Sequence, residues 1–384
     1  MVINMQKVFS GFFSFFLVLL LFASGHAENY DQYKMQLPYP EDTESLPFDD
    51  GDTFYIEPGG KALHWERNGQ IVATIENTEY QCLNRYVGII RVDDEHYGIL
   101  MKKDHSIPLH GEGTDRIEYW NWSEQKMEFI RSWEYDNCYT VCCDNGFLIY
   151  ETGKDAILYD VHACELWRGK LSEEKEYRPY RLRMRSADDW ICALNDHTTA
   201  DSYNACVRVF NGQIVWRKRF EEYTYRTMRI LPLADGWTAI AVSRNDGRYS
   251  PVKIYTLDTM GNIYSIHEIT SNKKLLTSAA LLFEAKDGTV LIYGTAVSNS
   301  QRTYLIWQLR FNTKSEACLW DTRNGEYHGD YSPGLRAGAN TSTKELPVFV
   351  ILKALDGSGA PKVLVPFDRL PKVDKQYLAI TRIQ

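Results

Sequence analysis

The chain is short of positive charge. Its 384 residues carry 43 Lys and Arg against 51 Asp and Glu, a net charge of −8. Nucleic acid selects for basic patches and anionic membrane surfaces for polybasic segments, so neither is expected as a partner. Long apolar runs are scarce too. Beyond residue 27 no stretch approaches the roughly 20 apolar residues that a bilayer crossing needs, so no membrane insertion is expected once the N-terminal segment is removed. No Gly-x-Ser-x-Gly elbow, His-Glu-x-x-His helix or Gly-rich phosphate loop is present, which removes three common catalytic signatures. No segment carries a clear helical period.

Cysteine is present but thinly spread: Cys82, Cys138, Cys142, Cys143, Cys164, Cys192, Cys206 and Cys318. Most sit inside apolar runs, where Cys acts as a small hydrophobe and not as part of a dense disulfide framework. Cys192 and Cys206 lie symmetrically about a turn-rich segment, Asn195 to Tyr203, and form the disulfide candidate. Cys142 and Cys143 are neighbours on one strand and point to opposite faces.

The N-terminus reads as a removable address. Lys7 supplies a thin positive region, Phe12 to Phe22 is nearly all apolar, and Gly25-His26-Ala27 places small residues before a cut. Residues 1–27 are therefore expected to be a signal peptide, with the mature chain starting at Glu28 and exported or held in the cell envelope. An even cysteine count is compatible with that oxidising compartment.

The rest of the chain is repetitive. Glu-Tyr pairs stand at Glu79-Tyr80, Glu134-Tyr135, Glu176-Tyr177, Glu222-Tyr223 and Glu326-Tyr327, with a degenerate copy at Glu268-Ile269. The pentapeptide Asn-Gly-Gln-Ile-Val at Asn68–Val72 returns at Asn211–Val215. Asp-rich turns at Asp94-Glu95, Asp144-Asn145-Gly146, Asp188-Asp189, Asp235-Gly236 and Asp287-Gly288 each precede a β-rich run, a strong hairpin signal. Each unit reads strand a, Asp-rich turn, strand b, loop, strand c, Gly-rich turn, strand d. In the clearest unit, strand a is Arg226–Leu233, b is Trp237–Ser243, c is Val252–Leu257 and d is Asn262–Ile269. The d strands fall near Ile71, Met127, Leu166, Ile214, Ile263, Cys318 and Tyr377. The first unit shows no obvious strand a, and the seventh, Gly334 to Ile383, is irregular.

Four-stranded units of this length, repeated, predict an all-β protein, a β-propeller of seven four-stranded blades over residues 49–384. The segment 28–48 is read as a strand donor that closes the ring on the last blade.

At Gly212-Gln213-Ile214-Val215-Trp216 the chain resembles repeats of the PQQ-like, quinoprotein-type propeller superfamily, with its Gly-x-x-x-Trp turn-strand. Other units depart from it: Gly69 is followed by Ala73 and Gly261 by Ser265 at the Trp position. The Trp-Asp dipeptide that closes WD-type units ends no unit here. The resemblance implies that d-to-a connections and b–c loops share one face, where ligand sites of such propellers gather.

That face holds the candidate binding residues Tyr80, Glu134, Tyr135, Glu176, Tyr177, Glu222, Tyr223 and Tyr327, since these Glu-Tyr pairs fall at d-to-a connections; one further pair, Glu118-Tyr119, is out of phase. Tyr rings offer apolar platforms with polar tips, and carboxylates accept hydrogen bonds. His110 and His197, in b–c loops, join them. The loop from Lys102 to Arg116 also carries Asp104, His105, Glu112 and Asp115, but their spacing matches no standard metal site, and no cofactor is implied. In Tyr180–Arg185 arginine alternates with other residues, which puts Arg181, Arg183 and Arg185 on one strand face, toward the channel or toward carboxylates of a neighbouring blade. The expected function is a binding or scaffold protein for an extracellular or envelope protein or glycan. The alternative is a carbohydrate-active hydrolase or lyase at the channel mouth.

Overall fold

A computed structural model describes residues 44–47, 52–56, 62–68, 70–76, 83–104, 116–124, 126–135, 138–151, 153–173, 177–196, 203–223, 226–244, 251–271, 275–298, 303–324, 331–337, 348–354, 363–373 and 377–384. These residues form seven antiparallel sheets in chain order. The first is Glu44–Pro47, Asp52–Ile56, Ala62–Arg67 and Gln70–Glu76; the second is Leu83–Arg91, Tyr97–Asp104, Arg116–Trp122 and Met127–Glu134. The third is Cys138–Cys143, Gly146–Glu151, Ala156–Asp160 and Glu165–Gly169; the fourth is Tyr177–Ser186, Asp189–Asp196, Tyr203–Phe210 and Gln213–Tyr223. The fifth is Arg226–Pro232, Thr238–Arg244, Val252–Leu257 and Ile263–Ser271; the sixth is Leu276–Glu284, Val290–Ser298, Thr303–Phe311 and Cys318–Asn324. Tyr331–Ala337, Val348–Ala354 and Val363–Pro366 make a three-stranded seventh.

Within each sheet the strands pair in sequence order, and the first strands of the second to seventh sheets are successive neighbours in space. The first strands thus form an inner row and the last strands the periphery. The last strands are the exposed ones: Ile71, Phe129 and Leu319 are 48%, 48% and 68% exposed. This radial stack of meanders is β-propeller architecture.

The hydrophobic cores lie between the sheets. Alternate residues of one strand face opposite sides, so a sheet flanked on both sides needs nearly continuous apolar strands. Trp190, Cys192 and Leu194 enter the core toward the third sheet, while Ile191 and Ala193 enter the core toward the fifth. The core between the first two sheets is aromatic: Phe54, Trp65, Tyr97 and Trp122 have ring centroids 4.7 to 5.8 Å apart. Its polar edge is Asp52, which accepts two bonds from Arg67, at 2.7 and 2.9 Å, and one from the Tyr97 hydroxyl at 2.7 Å. Burial works to raise the Asp52 pKa, but these donors outweigh it and hold the carboxyl below its usual range. Asp52 is a structural tie at the start of its strand.

The turn chemistry follows the sequence. Asn211 and Gly212 have φ of 52° and 72°, the left-handed pair that a two-residue hairpin of type I′ demands.

Three expectations are corrected. Glu44–Pro47 pairs with Asp52–Ile56 and supplies the first unit's missing inner strand, so this part of the 28–48 segment does not close the last sheet. The strand near Tyr377 is not the fourth strand of the seventh sheet. Leu378–Arg382 runs past the sixth sheet and pairs with Ile263–Ser271 as a fifth strand on the fifth sheet. On the way, Arg323 and Lys372 form an isolated bridge. The disulfide candidate also fails. Cys206 pairs with Ala193, one residue beyond Cys192, so the two thiols project from opposite faces into different cores and both are free.

Candidate functional site

The d-to-a and b–c end of the second to fourth sheets carries a row of aromatic and cationic side chains. Tyr135 follows the last strand of the second sheet, and Tyr139 opens the inner strand of the third. Tyr150, near the end of that sheet's second strand, lies opposite Tyr139 in register, with ring centroids 6.4 Å apart. Cations complete the row. Lys102 Nζ stands 5.3 Å from the Tyr135 centroid, and the Arg178 guanidinium 4.8 Å from the Tyr139 centroid. A cation over an aromatic face is attracted by the ring quadrupole. Arg178 is exposed and Tyr139 half-buried, so this pair is open to solvent.

The structure divides the Glu-Tyr residues. Tyr135 and Tyr177 are 6% and 5% exposed and pack in the cores flanking the third sheet, so their rings brace sheets and are not open platforms. Glu134 is exposed at the rim. Glu222 and Tyr223 end the outer strand of the fourth sheet. Tyr80, Glu176, Tyr327, His110 and His197 lie outside the described residues. Sequence reasoning passed over Tyr139, Tyr150, Lys102 and Arg178. Two of them had a signal: Tyr139 and Arg178 sit just after the Tyr135 and Tyr177 positions that the repeat marks.

A second polar group lies deeper, on the inner strands. Arg183 is fully buried and donates from Nη2 to the Leu282 carbonyl of the sixth sheet at 3.2 Å, reaching past the fifth. Arg185 crosses the same way to the Glu284 carboxylate, which also accepts from the Ala234 amide. Arg229 Nε donates to the Ala280 carbonyl, exposed by a bulge between Ala279 and Leu281. Arg185 therefore makes the inter-sheet ion pair foreseen from the alternating pattern, whereas Arg183 spends its donor on a backbone carbonyl. Burial, and then the nearby Arg181 charge, push the Arg183 and Arg229 pKa values down to about 9. Burial also lowers Arg181.

Among the described residues there is no group of three or more His, Cys, Asp or Glu that could hold a metal ion, and no helix long and apolar enough to cross a membrane. One surface cavity of about 400 Å³ opens at the opposite, turn end of the first two sheets, lined by Arg67, Glu95, His96, Ser123, Glu124 and Lys126.

No family model and no curated protein matches the chain. Solved structures are similar in fold. One from an analysis of two prolyl endopeptidases is 10% identical with a TM-score of 0.53; the match covers 94% of this chain and 54% of that one, so the chain spans about half its length. A streptogramin B lyase structure is 11% identical, with a TM-score of 0.42 and coverage of 91% and 96%. The β-propeller domain of Nup133 from Vanderwaltozyma polyspora is 8% identical, with a TM-score of 0.34 and coverage of 77% and 92%. At such identities likeness speaks to fold alone, and the fold shared with the endopeptidase structure is what the chain's own sheet order also shows: an all-β propeller.

Proposed function

We propose that the chain is an exported, seven-bladed propeller that acts by binding a protein or glycan of the extracellular or envelope space. In this reading the seven sheets close into one ring, and the partner docks on the end where d-to-a connections and b–c loops meet. The Gly-x-x-x-Trp turn-strand at Gly212–Trp216 supports kinship with PQQ-like propellers, and the N-terminal pattern of residues 1–27 supports export.

The observation that carries the binding role is the open Tyr139–Arg178 pair within the row formed with Tyr150, Tyr135 and Lys102. Tyr and Arg are enriched at recognition surfaces because each joins a flat apolar face to directed donors. Sugars stack on such rings, and peptides meet both ring and guanidinium. The test is a screen of residues 28–384 on glycan and peptide arrays, followed by Tyr139→Ala and Arg178→Ala. Each substitution should weaken the selected partner at least tenfold; Arg178→Ala should do so without lowering the melting temperature, and Tyr139→Ala, which also loses packing on the core below it, is measured where it is fully folded. Wild-type affinity in both variants would remove this face as the docking site.

A further inference from the structure

The inner-strand arginines are more than ties between sheets. Arg181 and Arg183 come from the fourth sheet and Arg229 from the fifth, all on strands of the inner row. No described group accepts a bond from Arg181 Nε or from Arg229 Nη1, although both atoms are enclosed. The residues themselves are half-buried, unlike Arg183, so solvent still reaches parts of them. Burying a guanidinium without a carboxylate is costly, because its hydration is lost and nothing replaces it. The carboxylates described nearby are otherwise engaged: Glu284 and Asp189 both pair with Arg185, and Asp189 also pairs with Arg208. Asp144 acts on Arg183 and on Cys143. Among the described residues, the inner row thus holds Arg229 depressed by burial and by the Arg181 and Arg183 charges, and two enclosed donors, Arg181 Nε and Arg229 Nη1, without acceptors.

We propose that the inner row between the fourth and sixth sheets holds a small oxyanion, with Arg181 and Arg229 as its ligands. A planar guanidinium fork matches the two oxygens of a carboxylate, or two oxygens of phosphate, better than any neutral group. Arg229 is held by its bond to the Ala280 carbonyl and Arg183 by its bond to the Leu282 carbonyl, so both side chains are anchored on the sixth sheet. Lowered guanidinium pKa values agree with an anion site, since an anion would raise them again. The site goes beyond the rim row: it rests on the inner strands and needs no particular partner at the rim.

The test uses residues 28–384 with sodium glucuronate, inorganic phosphate and neutral glucose at matched ionic strength, read by thermal shift and calorimetry. Glucuronate should raise the melting temperature and bind with measurable heat, glucose should not, and a response to phosphate alone would assign the site to a free inorganic anion in place of an acidic sugar. Arg229→Lys keeps charge and should bind at least fivefold more weakly. Arg181→Met removes an uncompensated charge, so it should fold at least as stably as the parent and lose the anion response. Wild-type anion affinity in both variants, or no response to either anion, would overturn the site. Array binding that persists in Arg181→Met would leave the rim reading intact, so the two proposals fail separately.

Discussion

Trp216 packs its indole directly on Gly261. The two belong to different sheets: Trp216 to the outer strand of the fourth, Gly261 to the turn before the outer strand of the fifth. A Cβ built on Gly261 would stand 2.6 Å from Trp216 Cγ, and Gly261 has φ of 79°. Both the close approach and the left-handed backbone require glycine. This contact explains why a Gly-x-x-x-Trp unit followed by a unit that keeps only the glycine remains a working pair: the tryptophan of one sheet needs the glycine of the next.

Gly261→Ala should therefore destabilise the protein by about 2 kcal/mol, the sum of a strained φ and a displaced ring. Urea titration followed by tryptophan fluorescence checks this. Gly153→Ala makes the control, because φ is similarly positive at 82° but nothing lies within 4 Å of its Cβ. Its smaller loss isolates the backbone part.

Much of the fold was written in turn chemistry. Asp-rich a–b turns and Asn-Gly c–d turns require particular backbone angles, and those requirements sit in two or three adjacent residues. The six regular outer strands accordingly fall where the turns put them. What the sequence hid was long-range. Leu378–Arg382 alternates like any outer strand, and its pattern does not say which sheet edge it joins; Ile380 packs in the core of the fifth and sixth sheets instead of completing the seventh. Glu44–Pro47 was missed because four residues carry too little period. The rim row was half legible: the repeat marked the d-to-a end of the sheets, but burial assigns Tyr135 and Tyr177 to packing and leaves the open positions to Tyr139 and Arg178, which stand a few residues after them and belong to no Glu-Tyr pair.

Cys192 and Cys206 should both react as thiols. Alkylation of the denatured, unreduced protein followed by peptide mass spectrometry should modify each completely. In the folded state neither should react, because both are fully buried and burial pushes both thiol pKa values up, away from the reactive thiolate. A Cys192–Cys206 cross-linked peptide would contradict the register of the fourth sheet.

Arg185 and Glu284 clamp the inner strands of the fourth and sixth sheets across the fifth, with side chains 26% and 11% exposed. Glu284→Ala removes the carboxylate that Arg185 Nη1 and the Ala234 amide both donate to, leaving Arg185 with Asp189 and the Pro232 carbonyl, and should cost about 2 kcal/mol, between the limits for exposed and buried pairs. Arg185→Met in the same background should recover part of it, since the guanidinium then no longer stands part-buried with only the more distant Asp189 carboxylate to balance it. A double-mutant cycle by denaturant unfolding measures the coupling.

Buried His267 should give the protein a pH response. His267, on the fourth strand of the fifth sheet, packs its ring against Phe311, lies opposite Arg382 of the strand Leu378–Arg382 and is 4% exposed. Burial lowers its pKa below the ordinary 6.5, and the Glu316 carboxylate, 3.4 Å from Nε2, recovers only part of that shift. A histidine whose folded pKa is depressed takes up its proton more readily in the unfolded chain. Stability is therefore unaffected above about pH 7 and falls as the pH drops through 6.5 toward the lower folded value. Urea midpoints measured between pH 7.5 and 5 should show that decline, and His267→Gln should flatten it while lowering the midpoint at pH 7.5 only modestly. An unchanged pH slope in the variant would place the response on another group. Deleting residues 373–384 should go further than the substitution. It uncovers the hydrogen-bonding edge of Ile263–Ser271 and the apolar surface under Val373, Tyr377, Leu378 and Ile380. An uncovered edge strand is a template for another chain, so the truncated protein should melt earlier and self-associate, as light scattering on the two forms would show.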